Sequence, residues 1–336
     1  MNEEKIKRLL PLKWVKNPHN LKNKKILIIG LGALGSNIVD LLVRAGIENI
    51  VLIDRDFVEY SDLLTSPIYD LSDAKLNKPK VVAAKEKIEN LNEKVNLDTY
   101  FENFSPEFSK NLNFEKIDLI IDAVDNLETR FLINEISYKE KIPWIHGACV
   151  AERGEIAFFK PWKGACYRCL FPNIPKKGRL ETCETSGINP VLARKVAGIQ
   201  ADIAIKYLLA NREYINKMVY IDFSEDYSLK TFKIKKRKNC PVCVKGNFEF
   251  IEKREKKIVT FCSEKSVMLY LDEFDNKEIE EKWKKFENFI SNKYFTGIKD
   301  KNMELKLYRN GKLFIRSEAP LDIKKVKAII SRYIGE

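Results

Sequence analysis

An α/β fold with a doubly wound, mostly parallel sheet is predicted by three features of this sequence. Short β-rich apolar runs alternate with helical segments, a glycine-rich turn follows the first such run, and a later buried run ends in carboxylates. Lys24 to Ile29 reads as the first strand and ends at Gly30, and a helix follows from Ala33 to Ala45. Asn49 to Ile53 is the second strand, ending at Asp54. A polar connector with Pro67 leads to a helix over Lys80 to Leu91, then to strands at Val95 to Tyr100 and Ile117 to Ile121. Asn126 to Lys139 is helical, and Pro143 to Ala148 is a further strand. Beyond Cys149 the pattern changes. Glu155 to Phe159 alternates like a strand, Tyr167 to Asn189 has little periodicity, and Pro190 to Leu209 is a long apolar-faced helix. Strands at Met218 to Phe223 and Leu229 to Ile234 follow. Nearer the C-terminus, Arg309-Asn310-Gly311-Lys312 sits between alternating apolar residues over Leu305 to Arg316, a hairpin signal, and Asp322 to Tyr333 is a last helix. Three parts are expected: an N-terminal helical segment (1–22), a main domain (23–248) and a small α+β domain (249–336).

Gly30-Leu31-Gly32-Ala33-Leu34-Gly35 places Gly30, Gly32 and Gly35 after a strand and at the opening of a helix. Backbone N–H groups there approach a phosphate closely, and the helix start carries partial positive charge. Asp54, about 20 residues on, is placed to hydrogen-bond a ribose. The motif predicts nucleotide binding and leaves ATP and NAD open. Asp122 and Asp125 stand where the Ile117–Ile121 run ends, in the crevice position of an open sheet. Asp125 is the expected Mg²⁺ ligand, with a helix N-cap as its competing role. Asp122 is expected to hydrogen-bond structurally, and Arg130 to meet Asp125 or a phosphate. Lys80 opens a helix and offers a point charge to phosphates.

The chain has 336 residues, 45% hydrophobic, and a net charge of +12, which suits a sizeable core with solvated basic helix faces. No apolar run approaches the roughly 20 residues of a membrane span, and the charged N-terminus is no signal peptide. A cytoplasmic protein without membrane or nucleic-acid partners is expected. Of the seven cysteines, four form CxxC pairs, Cys166/Cys169 and Cys240/Cys243. Two matched pairs about 70 residues apart predict a closed Cys₄ site that holds structural Zn²⁺ and staples distant segments.

Taken in order, GLGALG from Gly30, Asp54-Arg55-Asp56-Phe57-Val58, Lys78-Pro79-Lys80-Val81, Asp122-Ala123-Val124-Asp125-Asn126 with Arg130, Cys166-Tyr167-Arg168-Cys169-Leu170 and Cys240-Pro241-Val242-Cys243 resemble the ThiF/MoeB/HesA adenylyltransferases, relatives of ubiquitin-activating enzymes. The resemblance covers roughly residues 20 to 245 and implies a Rossmann-like domain that uses ATP to adenylylate the C-terminal glycine carboxylate of a ubiquitin-like sulfur-carrier protein. It further implies that Asp54 holds the ribose, Lys80 the phosphates and Asp125 the Mg²⁺. Asp56, Asn126 and Arg130 belong to the same nucleotide-binding motifs. Cys183 matches the position at which some members link covalently to their carrier, and members are homodimers. The sequence departs from the family at Asp62, where asparagine is usual, and at Thr65-Ser66, where an arginine-glutamine pair is usual. A non-catalytic nucleotide-binding scaffold, a tRNA-modifying ATP-dependent relative and an NAD dehydrogenase are the rival readings.

Overall fold

The structure is a computed structural model, and it describes all residues except 1–6, 8–10, 14, 16–17, 175–185, 211–212, 226, 254–257, 261–264, 272–273 and 336. The expected N-terminal helical segment lies largely outside the described residues, apart from a 3-10 helix at Pro18–Asn23. Cys183 lies outside them entirely.

The chain divides into two compact units, Met1–Arg254 and Glu255–Glu336. In the first, eight strands form one sheet: β1 (Lys25–Ile29), β2 (Asn49–Asp54), β3 (Asn96–Phe101), β4 (Leu119–Asp122), β5 (Trp144–Val150), β6 (Arg153–Phe159), β7 (Lys217–Asp222) and β8 (Ser228–Lys233). Their order is β3-β2-β1-β4-β5-β6-β7-β8. The pairs from β3 through β5 are parallel. Those from β5 to β8 are antiparallel. The parallel half follows from helical crossovers, and two of the antiparallel pairings from short returns, Val150 to Arg153 and Asp222 to Ser228, while β6 reaches β7 through a long connection that carries the Pro190–Ala210 helix.

Alternate residues of the central strands enter two separate cores, one on each face of the sheet. Ile26, Ile28, Ile50, Leu52, Leu119 and Ile121 pack with the helices Gly35–Arg44, Lys80–Leu91 and Pro190–Ala210. Leu27, Ile29, Val51, Ile53 and Ile120 pack on the other face with the Leu127–Glu140 helix and the four CxxC cysteines. Burial on both faces is why these strands read as continuous apolar runs rather than alternating ones.

The second unit is a six-stranded antiparallel sheet with the Asn276–Trp283 and Ile323–Tyr333 helices. The hairpin forms as expected between Met303–Tyr308 and Lys312–Ser317, and Gly311 in its turn adopts φ +84°.

Candidate nucleotide site and cysteine cluster

β1 lies between β2 and β4, so the loops that leave these three strands meet at one edge of the sheet. The strand order reverses between β1 and β4, and a ligand crevice forms outside the strand ends at such a point. The glycine turn after β1 opens the Gly35–Arg44 helix. Gly30 has φ +92°, and a Cβ on it would lie 2.5 Å from the Ala123 carbonyl oxygen. A Cβ on Gly35 would lie 1.9 Å from the Gly30 carbonyl oxygen. These two glycines are demanded by packing within the turn. Gly32 differs: a Cβ there meets nothing within 4 Å, so its open side is the one available to a phosphate.

Asp54 is buried at the end of β2 and braces the turn. Its Oδ2 accepts from the Leu31 backbone N–H at 2.5 Å, and its Oδ1 accepts from Asp56 N–H at 2.6 Å. The Tyr69 hydroxyl donates to the Leu31 carbonyl at 2.8 Å, holding the turn from the other side. Asp56 is half-buried beside Asp54. Burial and the Asp54 charge raise its pKa from 3.8 to about 7, against the opposing pull of Arg55 and Lys80.

Lys80 is buried at the start of its helix, with Nζ 2.9 Å from Asp62 Oδ1. Burial disfavours its charge, but Asp62, Asp54 and Asp56 more than offset that and hold its pKa above the usual lysine value. At Thr65 the side chain is buried, and the Thr65 carbonyl accepts from Asn37 Nδ2 at 2.8 Å.

On the β4 side, the cap of the Leu127–Glu140 helix is Asn126, whose Oδ1 accepts from Thr129 N–H at 2.9 Å. The capping role weighed for Asp125 therefore belongs to its neighbour, and Asn126 is engaged in it. Asp125 itself is exposed at the crevice mouth. Partial desolvation raises its pKa, but the Arg55 guanidinium, the Asn126 amide and Arg130 outweigh that and lower it, so it is ionised at neutral pH.

Arg130 turns inward to Asp122, Nε to Oδ2 at 3.2 Å, and donates to the Val124 carbonyl at 2.5 Å. Asp122 is fully buried and accepts from the Val124 N–H at 3.0 Å, in the structural role expected of it. It also meets His146 Nδ1 at 2.7 Å, and His146 Nε2 lies 3.3 Å from Glu155. Burial opposes charge on His146, but the bonds from Asp122 and Glu155 prevail and raise its pKa. Gln200 donates to the Asp122 carbonyl at 2.8 Å. Sequence reasoning gave no role to His146 and Glu155, because neither spacing nor composition marks side chains that meet Asp122 only once β5 and β6 pair beside β4.

The four CxxC sulfurs form a second cluster. Cys166 Sγ lies 3.9 Å from Cys169 Sγ and 3.5 Å from Cys240 Sγ, and Cys169 Sγ lies 3.5 Å from Cys243 Sγ. All four cysteines are buried and their sulfurs lie within 4.8 Å of one another. A tetrahedron with metal–sulfur bonds of about 2.3 Å has edges of about 3.8 Å, so the cluster fits a four-coordinate soft metal.

The ThiF family model matches residues 8–242. The sulfur carrier protein ThiS adenylyltransferase of Bacillus subtilis (strain 168) is 29% identical, over 94% of this chain and 94% of that protein. The SAMP-activating enzyme E1 of Haloferax volcanii is 32% identical, over 69% of this chain and 84% of that protein. Among solved structures, E. coli MccB with ATP shares the fold at a TM-score of 0.58, with 21% identity over 67% of this chain and 68% of that one. MccB with AMPCPP and MccA gives a TM-score of 0.62 and 19% identity, covering 74% and 75%. With the glycine turn, Asp54, Lys80 and Asp125 gathered at one strand edge, the chain belongs to the ThiF family.

Proposed function

We propose that this protein is an adenylyltransferase that uses ATP to activate the C-terminal glycine carboxylate of a ubiquitin-like sulfur-carrier protein. One observation carries the reading: an ionised Asp125, left out of the helix cap, stands at the mouth of the crevice that also holds the open face of Gly32, Asp54 and Lys80. That combination suits a triphosphate with a divalent cation better than a dinucleotide. The names of the similar proteins from Bacillus subtilis and Haloferax volcanii support the acceptor class.

In this reading the ribose lies toward Asp54 and the phosphates toward the start of the Gly35–Arg44 helix. A carboxylate oxygen of the carrier attacks the α-phosphorus. A P–O bond forms as the bond to the β-phosphate oxygen breaks, and pyrophosphate leaves with that electron pair. Charge grows on phosphate oxygens during the step, so fixed positive groups stabilise the transition state more than the ground state. Lys80 is suited to this because its neighbours keep it protonated and its helix holds it in place. Asp125 would hold Mg²⁺, with Asp56 and Asp54 nearby. The ion, when bound, neutralises charge on the departing pyrophosphate.

The mixed anhydride then meets a sulfur nucleophile, for which Cys183 remains the candidate. Zn²⁺ held by Cys166, Cys169, Cys240 and Cys243 completes the proposal as a structural staple, together with a cytoplasmic homodimer. Among the described residues, no helix is long and apolar enough to cross a membrane.

The test is exchange of labelled pyrophosphate into ATP, with and without a small carrier that ends in Gly-Gly. Carrier-dependent exchange is expected. Tight ATP binding without exchange would favour a scaffold, and NAD binding in preference to ATP would overturn the adenylyltransferase reading.

A further inference from the structure

The backbone that carries Asp125 is held on both sides. Val124, just before it, donates its N–H to Asp122 Oδ1 at 3.0 Å, and its carbonyl accepts from Arg130 Nη2 at 2.5 Å. Asn126, just after it, caps the Leu127–Glu140 helix through Thr129. A Cβ on Gly30 would lie 2.5 Å from the Ala123 carbonyl oxygen and 3.1 Å from the Val124 nitrogen, so this stretch also packs against the glycine turn. Asp122 and Arg130 together clamp the peptide that leads into the exposed carboxylate.

His146 holds the clamp in place. Its Nδ1 lies 2.7 Å from Asp122 Oδ2, the same oxygen that meets Arg130 Nε at 3.2 Å. Its Nε2 lies 3.3 Å from Glu155 Oε1 across the β5–β6 pairing. Both ring nitrogens thus face carboxylate oxygens, an arrangement in which the imidazolium donates to both. The side chain is fully buried, and the Tyr167 and Trp144 rings, with centroids 5.0 and 6.0 Å from its own, wall it in. With one place to sit, the imidazole sets the orientation of the Asp122 carboxylate, whose other oxygen holds Val124. Arg130 reaches the same strand, with Nη2 3.4 Å from the Gly147 carbonyl. A chain of direct contacts therefore runs from Glu155 on β6 through His146 and Asp122 to the residue beside Asp125.

We propose that His146 is a positioning residue for the carboxylate that takes the divalent cation: through Asp122 and Arg130 it fixes where Asp125 stands at the crevice mouth. The inference rests on the adenylyltransferase reading and adds to it the residue that preorganises the metal ligand. A carboxylate on an exposed loop serves a metal–triphosphate only when its position is set before the ligand arrives. A misplacement of about 1 Å costs on the order of 100-fold in rate. His146 supplies that restraint from within the sheet, where solvent does not compete for its bonds.

The test separates the two ring nitrogens. In His146→Asn the side-chain amide nitrogen takes the place of Nδ1 and keeps the Asp122 bond. In His146→Gln it takes the place of Nε2 and keeps only the Glu155 bond. ATP affinity is measured by calorimetry with and without Mg²⁺, beside a thermal melt and pyrophosphate exchange. In His146→Gln the gain in ATP affinity that Mg²⁺ brings is expected to fall about 5- to 10-fold, and exchange at saturating ATP about 10- to 100-fold. His146→Asn is expected to stay within about threefold of the wild type on both. A merely structural role would lower the melting temperature in both variants and leave the Mg²⁺ gain unchanged, which overturns the inference. Equal losses of the gain in the two variants overturn it as well, because the Asp122 bond would then not be the one that matters. Should His146→Gln fail to fold, Asp122→Asn, which keeps an oxygen for Val124 and turns a donor toward His146, carries the comparison and is expected to lose the same gain. A wild type that gains nothing from Mg²⁺ yet shows carrier-dependent exchange overturns this inference and leaves the function standing. A wild type without exchange overturns both.

Discussion

Lys80 Nζ lies 2.9 Å from Asp62 Oδ1 beside the candidate nucleotide crevice. Asparagine is usual at this position in the adenylyltransferases the sequence resembles. The carboxylate here adds a negative charge beside the lysine expected to meet phosphates, so ATP must compete with Asp62 for it. Asp62 Oδ2 also accepts from the Glu59 N–H at 2.9 Å, a bond that an amide oxygen preserves.

Asp62→Asn is therefore expected to lower the KM for ATP by about fivefold, on the order of 1 kcal/mol, and to lower the melting temperature of the nucleotide-free protein, because Lys80 stays buried with less compensating charge. Pyrophosphate-exchange kinetics check this. A raised KM would mean that the ion pair positions Lys80 for catalysis instead of restraining it.

Asp125 and Asn126 are adjacent in sequence and separable in function. Asn126 caps its helix through Thr129, so Asn126→Ala is expected to cost about 1 kcal/mol of stability and leave turnover largely intact. Asp125→Ala removes no cap. It is expected to leave the melting temperature near the wild-type value and to cut exchange by roughly 100- to 1000-fold. Near-normal exchange in Asp125→Ala would place the metal elsewhere in the crevice.

These residues show what the sequence discloses and what it withholds. The central strands and their helices were legible because runs such as Ile26–Ile29 and Leu119–Ile121 are apolar on both faces, and because Gly30, Gly32 and Gly35 punctuate the first crossover. The choice between Asp125 and Asn126 as cap was not, since either side chain can accept from a helix N–H and only backbone placement decides. The destination of Arg130 was hidden for a related reason. Its partner Asp122 is eight positions back in the chain and is reached only because the helix folds against β4. In the second unit the hairpin was visible through Arg309-Asn310-Gly311, whereas the Asn276–Trp283 helix, with Ile279 and Trp283 as its buried residues, gave too short an apolar pattern to read.

Asp56 supplies a pH dependence. Its pKa is about 7 in the fold against 3.8 ordinarily, so between those values the folded state binds more protons than the unfolded one. The contribution of this group to stability therefore declines as pH rises through that window and is fully lost above about 7. Asp56→Asn removes the penalty. Its side chain retains 31% exposure, so the gain is kept to the order of 1 kcal/mol, or about 2 to 4 °C, near pH 8. The gain is expected to shrink toward zero near pH 4. Thermal melts of both proteins across the range test this, and a gain independent of pH would contradict it.

The cysteine cluster yields the last prediction, in which stability and nucleotide binding part company. Cys166 and Cys169 come from one segment and Cys240 and Cys243 from another, and all four lie in the core on the opposite face of the sheet from the Gly35–Arg44 helix. Trp144, Phe159 and Tyr167 belong to the same core, so the cluster anchors the sheet's antiparallel half. Thiolates buried this deeply are costly unless a cation holds them, and a bound metal contributes its binding energy to folding. Metal analysis is expected to find one zinc per chain. Replacing any one of the four by serine is expected to release the zinc and lower the melting temperature by on the order of 10 °C, the equivalent of roughly 3 kcal/mol or more for a unit of this size. In whatever fraction stays folded, ATP affinity is expected to remain within about twofold, because among the described residues the hydrogen-bond partners of the sulfurs are one another and the Arg237 N–H, not Asp54, Lys80 or Asp125. Folded wild-type protein free of zinc would refute the staple. A serine variant that keeps its melting temperature and loses ATP binding would instead make the cluster part of the active site.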